Sequence, residues 1–195
     1  MAYELVVVGV SAGGLHALRT LVGGLPGGFG MAVAIVQHRS RESEALCEFL
    51  QDCTELEVYD VTDKQPIRPG QVYLAPPDYH LLVERDHFAL SVDDPVMYSR
   101  PSIDVTFGTA ADAFGSRVVG VVLTGANHDG ARGLRRIVDR GGYAVVQDPG
   151  SSEVAVMPAA ALRAVPEAVV LPLEGIAPHL AGLHGVRQPL RRSGS

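Results

Sequence analysis

The sequence predicts a doubly wound α/β fold on a mainly parallel sheet, with a small antiparallel excursion in the middle, and three observations carry that expectation. Four runs, Glu4 to Val8, Met31 to Gln37, Val118 to Leu123 and Tyr143 to Gln147, are nearly continuous in apolar residues, the pattern of parallel strands covered on both faces. Stretches of helical periodicity lie between them, so strand and helix alternate. At 195 residues and 47% apolar composition, the chain can bury one sizeable core and is short for two.

Taken in order, the first strand breaks into Gly9-Val10-Ser11-Ala12-Gly13-Gly14, a turn that opens a helix with Leu15, Leu18, Leu21 and Val22 read as its apolar face. The second strand ends in Gln37-His38, and a helix after Arg41 presents Ala45, Phe49 and Leu50. Residues 71 to 92 read QVYLAPPDYHLLVERDHFALSV. These are three short β-rich runs parted by Pro76-Pro77-Asp78 and Arg85-Asp86, an antiparallel excursion placed to roof a site. Pro101-Ser102 opens a helix with Val105, Ala110, Ala113 and Phe114 on one face, and Asp129-Gly130 opens another with Leu134, Ile137 and Val138. A helix over Val154 to Arg163 containing Pro158, a short strand near Ala168 to Leu171 and a last helix ending near His184 complete a domain of residues 1–185. The polar, basic tail 186–195 is expected to be mobile.

Sixteen Lys and Arg against 22 Asp and Glu leave a formal charge of −6, which opposes a nucleic-acid partner because such affinity rests on neutralising phosphates. The start Met-Ala-Tyr-Glu lacks the basic flank of a signal peptide, and no apolar run approaches the roughly 20 residues that span a bilayer. The expectation is a cytoplasmic protein without membrane insertion. Cys47 and Cys53 have no second pair to complete a zinc site and read as free or buried thiols.

In doubly wound sheets, ligands sit beyond the carboxyl ends of the strands. At the first such end, GVSAGG matches a dinucleotide fingerprint only if Ser11 replaces the middle glycine, which must lack a side chain for pyrophosphate to approach. The second strand ends in Gln37 and His38, not in the acid that would hold a ribose. Gly9-Val10-Ser11-Ala12-Gly13 also fits G-x-S-x-G, a serine projected above a sheet at a tight turn, although a serine there can simply cap its helix. A nucleophilic hydroxyl needs a base within hydrogen-bond reach, and His38 leaves the next strand on the same rim. After Leu123 the loop Thr124-Gly125-Ala126-Asn127-His128 leads to Asp129, either a third partner or a cap of its own helix.

Over the span from Glu4 to Leu180 the chain resembles the catalytic domain of the chemotaxis receptor methylesterases, the CheB family. The resemblance runs through GVSAGG, QHR, IRPGQVYLAPPDYHLLV, SRPSIDVTF, VVGVVLTGANHDGARGL, GGYAVVQDPGSSEVAVMP and LPLEGIAPHL. It implies a serine hydrolase that removes γ-methyl esters from glutamates of methyl-accepting chemoreceptors, releasing methanol, and that can also deamidate receptor glutamines. It places the catalytic roles on Ser11, His38 and Asp129 and implies no metal and no cofactor. Backbone N–H groups of Ala12 and Ala126 are expected as oxyanion donors, and Arg100 and His80 as substrate-side residues, with His80 alternatively organising its loop. Arg39 and Arg41 join Arg100 as a basic rim for Glu-rich helices, and Tyr98 adds apolar contact.

Two departures stand out. The family's loop before the aspartate commonly carries Met-Gly-Asn, where this chain has Ala126-Asn127-His128, and His128 offers a competing base. The phosphorylatable receiver domain that commonly precedes such domains is not in this chain: either a larger protein was cut, or the esterase stands alone, with control by aspartyl phosphate lost or supplied by a separate response-regulator protein. Two alternatives differ in class: a metallohydrolase gathering His38, His80, His128 and Asp129, and a non-catalytic nucleotide- or phosphoprotein-binding module using the helix N-terminus after Gly14.

Overall fold

Leu5 to Val10 contains no polar residue, and in the computed structural model, which describes residues 2–38 and 45–183, all six are buried as strand β1 (Leu5–Val10). It pairs in parallel on one side with β2 (Ala32–Gln37), which is followed in the chain by β3 (Glu57–Asp60) and β4 (Gln71–Leu74). A separate antiparallel hairpin, β5 (His80–Val83) and β6 (Phe88–Ser91), comes next, and then β7 (Val118–Val122), β8 (Tyr143–Gln147) and β9 (Val169–Leu171). The seven-stranded sheet runs β3-β4-β2-β1-β7-β8-β9, every pair parallel. The predicted strands are present with no end shifted by more than two residues. The first of the three β-rich runs in 71–92 is corrected: Gln71–Leu74 joins the main sheet, and only the other two form the excursion. The short β3, with Val58 as its one buried residue, carries too little apolar signal to read from sequence.

Strand alternation sorts the sheet's side chains into two cores. Val6, Val8, Val10, Val33, Ile35, Val119 and Val121 meet α1 (Gly14–Gly23), α2 (Leu46–Gln51) and, near the carboxyl end of the chain, a helix over Leu173–Leu183. Leu5, Val7, Ala34, Val36, Val122 and Val146 meet α3 (Ile103–Phe114), α4 (Ala131–Asp139), α5 (Val156–Ala164) and the hairpin; the Leu173–Leu183 helix is α6. Both faces of the sheet are therefore covered, which is what continuous apolar strands require.

Helix phases differ from expectation at single positions. Leu15 is 52% exposed, and Ala17 takes its place beside Leu18, Leu21 and Val22. Leu46 rather than Ala45 is buried beside Leu50. In α3 the buried stripe is Ile103, Phe107, Ala110, Ala111 and Phe114, with Val105 and Ala113 at its margin. In α4, Leu134 and Ile137 are buried as read, and Val138 is intermediate. The hairpin packs on α3. Leu81, Val83 and Phe88 pack in the core that α3 shares, while the Thr106 hydroxyl donates to the Leu81 carbonyl and the Val83 N–H donates to Thr109 Oγ1. It braces α3. Residues 39–44 and 184–195, including the tail expected to be mobile, lie outside the described residues.

Candidate active site

Register decides which residues meet at the rim. Val10 pairs with Gln37, and the His38 N–H donates to the Val10 carbonyl at 3.2 Å, so Ser11 and His38 leave neighbouring strands at one level. On the other side the Ser11 N–H donates to the Thr124 carbonyl at 3.0 Å, tying the β1 turn to the loop that carries Asp129. This rim is the switch point of the topology, because the chain runs from β1 to β2 on one side and β7 lies on the other. Gly9 completes the geometry: a Cβ there would stand 2.4 Å from Ile103 Cγ2, so α3 seats its first residue directly on β1 and brings its N-terminus to the rim.

Asp129 is met there by four donors. His38 Nε2 lies 2.8 Å from Oδ2, the Ile103 N–H donates to Oδ2 at 2.7 Å, and the Asp104 N–H and Ser102 hydroxyl donate to Oδ1 at 2.8 and 3.0 Å. The residue is 1% exposed. Burial raises its pKa, but the hydrogen bonds from His38, Asp104 and Ile103 outweigh it and hold the carboxyl below its ordinary value. Asp129 is thus a helix cap as well as a rim carboxylate, but it caps α3 and not the α4 helix that follows it. Asp104 returns the arrangement, accepting from the Gly130 and Gly133 N–H groups of α4 and from Arg132 Nε.

Asn127 closes the other side of the imidazole. Its Oδ1 accepts from the Asp129 N–H at 3.0 Å, which fixes the amide, and its Nδ2 then faces His38 Nδ1 at 2.9 Å. An amide nitrogen only donates, so Nδ1 accepts, the ring proton sits on Nε2, and Nε2 donates it to Asp129.

Ser11 is half-buried, in a turn held by the Gly14 N–H donating to the Ser11 carbonyl and by Gly13 at φ 76°. The helix cap is Gly13 with no side-chain bond, so Ser11 does not cap α1. Among the described residues its hydroxyl has no hydrogen-bond partner. Gly125 packs against it, since a Cβ on Gly125 would stand 2.9 Å from Ser11 Cβ. Ser11 borders an open hollow of about 450 Å³ shared with Gly13, Gly14, His16, Gln37 and Glu153. The Ala12 and Ala126 N–H groups, on the exposed residues of the two turns, have no partner among the described residues.

The remaining candidates fall elsewhere. His80 is 2% exposed, its Nδ1 accepting from the Ser102 N–H and its Nε2 donating to the Asp94 carbonyl, so it organises the loop before α3 and does not face a substrate. Arg100 Nη1 donates to the Val92 and Asp93 carbonyls, which turns the expected rim cation into a loop strut. Tyr98 is fully exposed, His128 is exposed, and Arg39 and Arg41 lie outside the described residues. No group of three or more His, Cys, Asp and Glu able to hold a metal exists among the described residues, and the backbone engages both nitrogens of His80, so the metallohydrolase set does not assemble. The α1 N-terminus faces a carboxylate: a Cβ on Gly13 would stand 2.8 Å from Glu153 Oε2, which disfavours an anionic nucleotide there. No helix among the described residues is long and apolar enough to cross a membrane. Sequence reading missed the roles of Ser102, Asp104 and Asn127. The first two announce a helix start, but which carboxylate caps which helix is a tertiary matter.

Comparison with known proteins meets this geometry from another direction. The family model described as CheB methylesterase matches residues 6–180. A relative from Leptospira interrogans is 46% identical over 179 residues, covering 91% of this chain and 93% of its own length. One from Moorella thermoacetica, named protein-glutamate methylesterase/protein-glutamine glutaminase, is 38% identical over 187 residues, 92% of this chain but only 44% of the relative. The crystal structure of the Thermotoga maritima CheB methylesterase catalytic domain superposes with a TM-score of 0.90 at 30% identity, covering 94% of this chain and all of that one. With the match running from β1 into α6, and thus through every loop of the rim, the chain belongs to the CheB methylesterase family.

Proposed function

We propose that this chain hydrolyses γ-glutamyl methyl esters on chemoreceptor signalling helices, with Ser11 as nucleophile, His38 as general base and acid, and Asp129 as its orienting carboxylate. The observation that carries the reading is the 2.8 Å contact between His38 Nε2 and Asp129 on the strand-end rim where Ser11 emerges at the same level as His38. Because Nε2 serves Asp129, Nδ1 is the nitrogen left for chemistry. Ser11 Oγ attacks the ester carbonyl carbon as its proton passes to Nδ1; the carbon–methoxy bond breaks and methoxide leaves as methanol with that proton. Water then attacks the γ-glutamyl ester of Ser11, giving its proton to Nδ1, and Ser11 leaves with it as the free glutamate forms. A glutamine side chain follows the same course with ammonia as leaving group. Asp129 stays ionised throughout, and its three other donors hold the carboxylate that keeps the imidazole oriented while the imidazolium charge develops. The unengaged Ala12 and Ala126 N–H groups serve the oxyanion.

The relatives' names support glutamate esters and glutamine amides as substrates. Methyl-accepting receptors are the proposed partners, a separate response-regulator protein the proposed source of control, and the cytoplasm the proposed place of action. The test is methanol release from methylated receptor membranes. Ser11→Ala is expected to lower the rate by about 10³-fold or more. Since the hydroxyl bonds nothing among the described residues, stability should change by no more than about 0.5 kcal/mol in a denaturant titration. Undiminished methanol release by a folded Ser11→Ala protein removes the serine from the mechanism.

A further inference from the structure

We infer that Asn127 is a positioning residue which occupies the basic nitrogen of His38 in the free enzyme and yields it only when Ser11 engages; this rests on the hydrolase reading above. Three contacts carry the inference. Asp129 takes Nε2 of the ring at 2.8 Å, so the serine proton can go only to Nδ1. Asn127 Nδ2 already donates to Nδ1 at 2.9 Å. The amide cannot turn to release it without cost, because its Oδ1 accepts the Asp129 N–H at 3.0 Å. The Ser11 hydroxyl, correspondingly, has no partner among the described residues.

The resting site is therefore ordered but not activated. The amide sets the correct tautomer and competes with Ser11 for one lone pair. For Ser11 to transfer its proton, the amide N–H must withdraw from Nδ1, so a bound substrate that presses the Asn127 loop aside activates the base and the nucleophile together. A small reagent that does not touch the loop meets the occupied base and reacts slowly.

Substitutions at this position separate the inference from a merely structural role, because the two rank the variants oppositely. In Asn127→Ala and Asn127→Gly, Nδ1 is free, and phosphonylation of Ser11 by a small fluorophosphonate, in which the Oγ–P bond forms, fluoride leaves and the serine proton goes to Nδ1, should quicken about fivefold, the worth of one neutral hydrogen bond. In Asn127→Asp, one carboxylate oxygen keeps the Asp129 N–H while the other faces Nδ1. The ring is then held protonated on both nitrogens between two carboxylates, and labelling should fall at least about a hundredfold. With a small methyl ester the same order should appear in kcat, with KM little changed. Nitrogen NMR of His38 should show Nδ1 losing its hydrogen bond in the alanine and glycine variants and gaining a proton in the aspartate variant. A scaffold role predicts the reverse, since only aspartate preserves the bond to the Asp129 N–H. Aspartate labelling as fast as wild type, alanine and glycine both slower, or all four alike overturns the inference. A wild-type Ser11 that resists the reagent, together with full methanol release by Ser11→Ala, instead overturns the hydrolase reading.

Discussion

Asp129 performs two tasks with one carboxylate, and its environment explains why neither can be separated from the other. The donors that orient it toward His38 are also the free N–H groups of α3, so protonating it weakens the site and the helix start together. Its folded pKa lies below the unfolded value of about 3.9. A depressed carboxyl contributes stability that is complete above the unfolded pKa and is lost as pH falls through the folded one. Urea midpoints followed from pH 6 downward should therefore fall more steeply for wild type below about pH 4 than for Asp129→Asn. The substituted protein should be less stable at neutral pH and flatter in acid, with activity reduced on the order of 10³-fold or more by loss of the carboxylate charge that supports the imidazolium. Equal acid slopes in the two proteins would remove the linkage. At this scale the sequence was informative about placement: the proposed catalytic residues Ser11, His38 and Asp129 were readable because each follows an apolar strand on a common rim. Asn127 was visible only as a departure from a pattern, because a side chain that reaches across a loop to another strand's histidine leaves no periodic signal.

Between elements, α3 and α4 are bound by exchanged caps, with Asp129 before α4 closing α3 and Asp104 inside α3 closing α4. The Asp104 side chain is 6% exposed, whereas its ion-pair partner Arg132 is 73% exposed. The buried backbone bonds should dominate the solvated pair. Asp104→Ala is expected to cost about 1–3 kcal/mol, as burying two unpaired N–H groups does, and to lower kcat by loosening the Asp129 shelf. Arg132→Ala should cost under about 1 kcal/mol and leave kcat nearly unchanged. Thermal melts and ester turnover on the two variants check this, and equal losses would contradict it. Helix existence was legible from spacing, but phase was not always so. Leu15, in the first turn of α1, borders the open hollow beside Ser11 and stays 52% exposed. Gln71–Leu74 and the two runs after it share composition, and only strand pairing divides the main sheet from the hairpin.

For the whole molecule, chemistry follows from topology. β2, β1 and β7 are adjacent and parallel at the centre of the sheet, so three distant stretches of chain end side by side without any loop having to travel far. The proposed mechanism uses only side chains and backbone, so it predicts that esterase turnover survives prolonged dialysis against a chelator; loss of activity that returns with added divalent metal would reinstate the metal-dependent alternative. What the sequence determined alone was the fold class and the strand-end positions of Ser11, His38 and Asp129, because continuous apolar strands, turn glycines and strand-end residues are encoded within short windows. The order of strands, the crossing of caps between α3 and α4, the recruitment of His80 and Arg100 to loop support, and the amide seated on the His38 ring were decided only by tertiary structure. Each of these is a contact between residues remote in the chain, and local periodicity holds no record of which remote partner a hydrogen-bonding group will meet once the two faces of the sheet are covered.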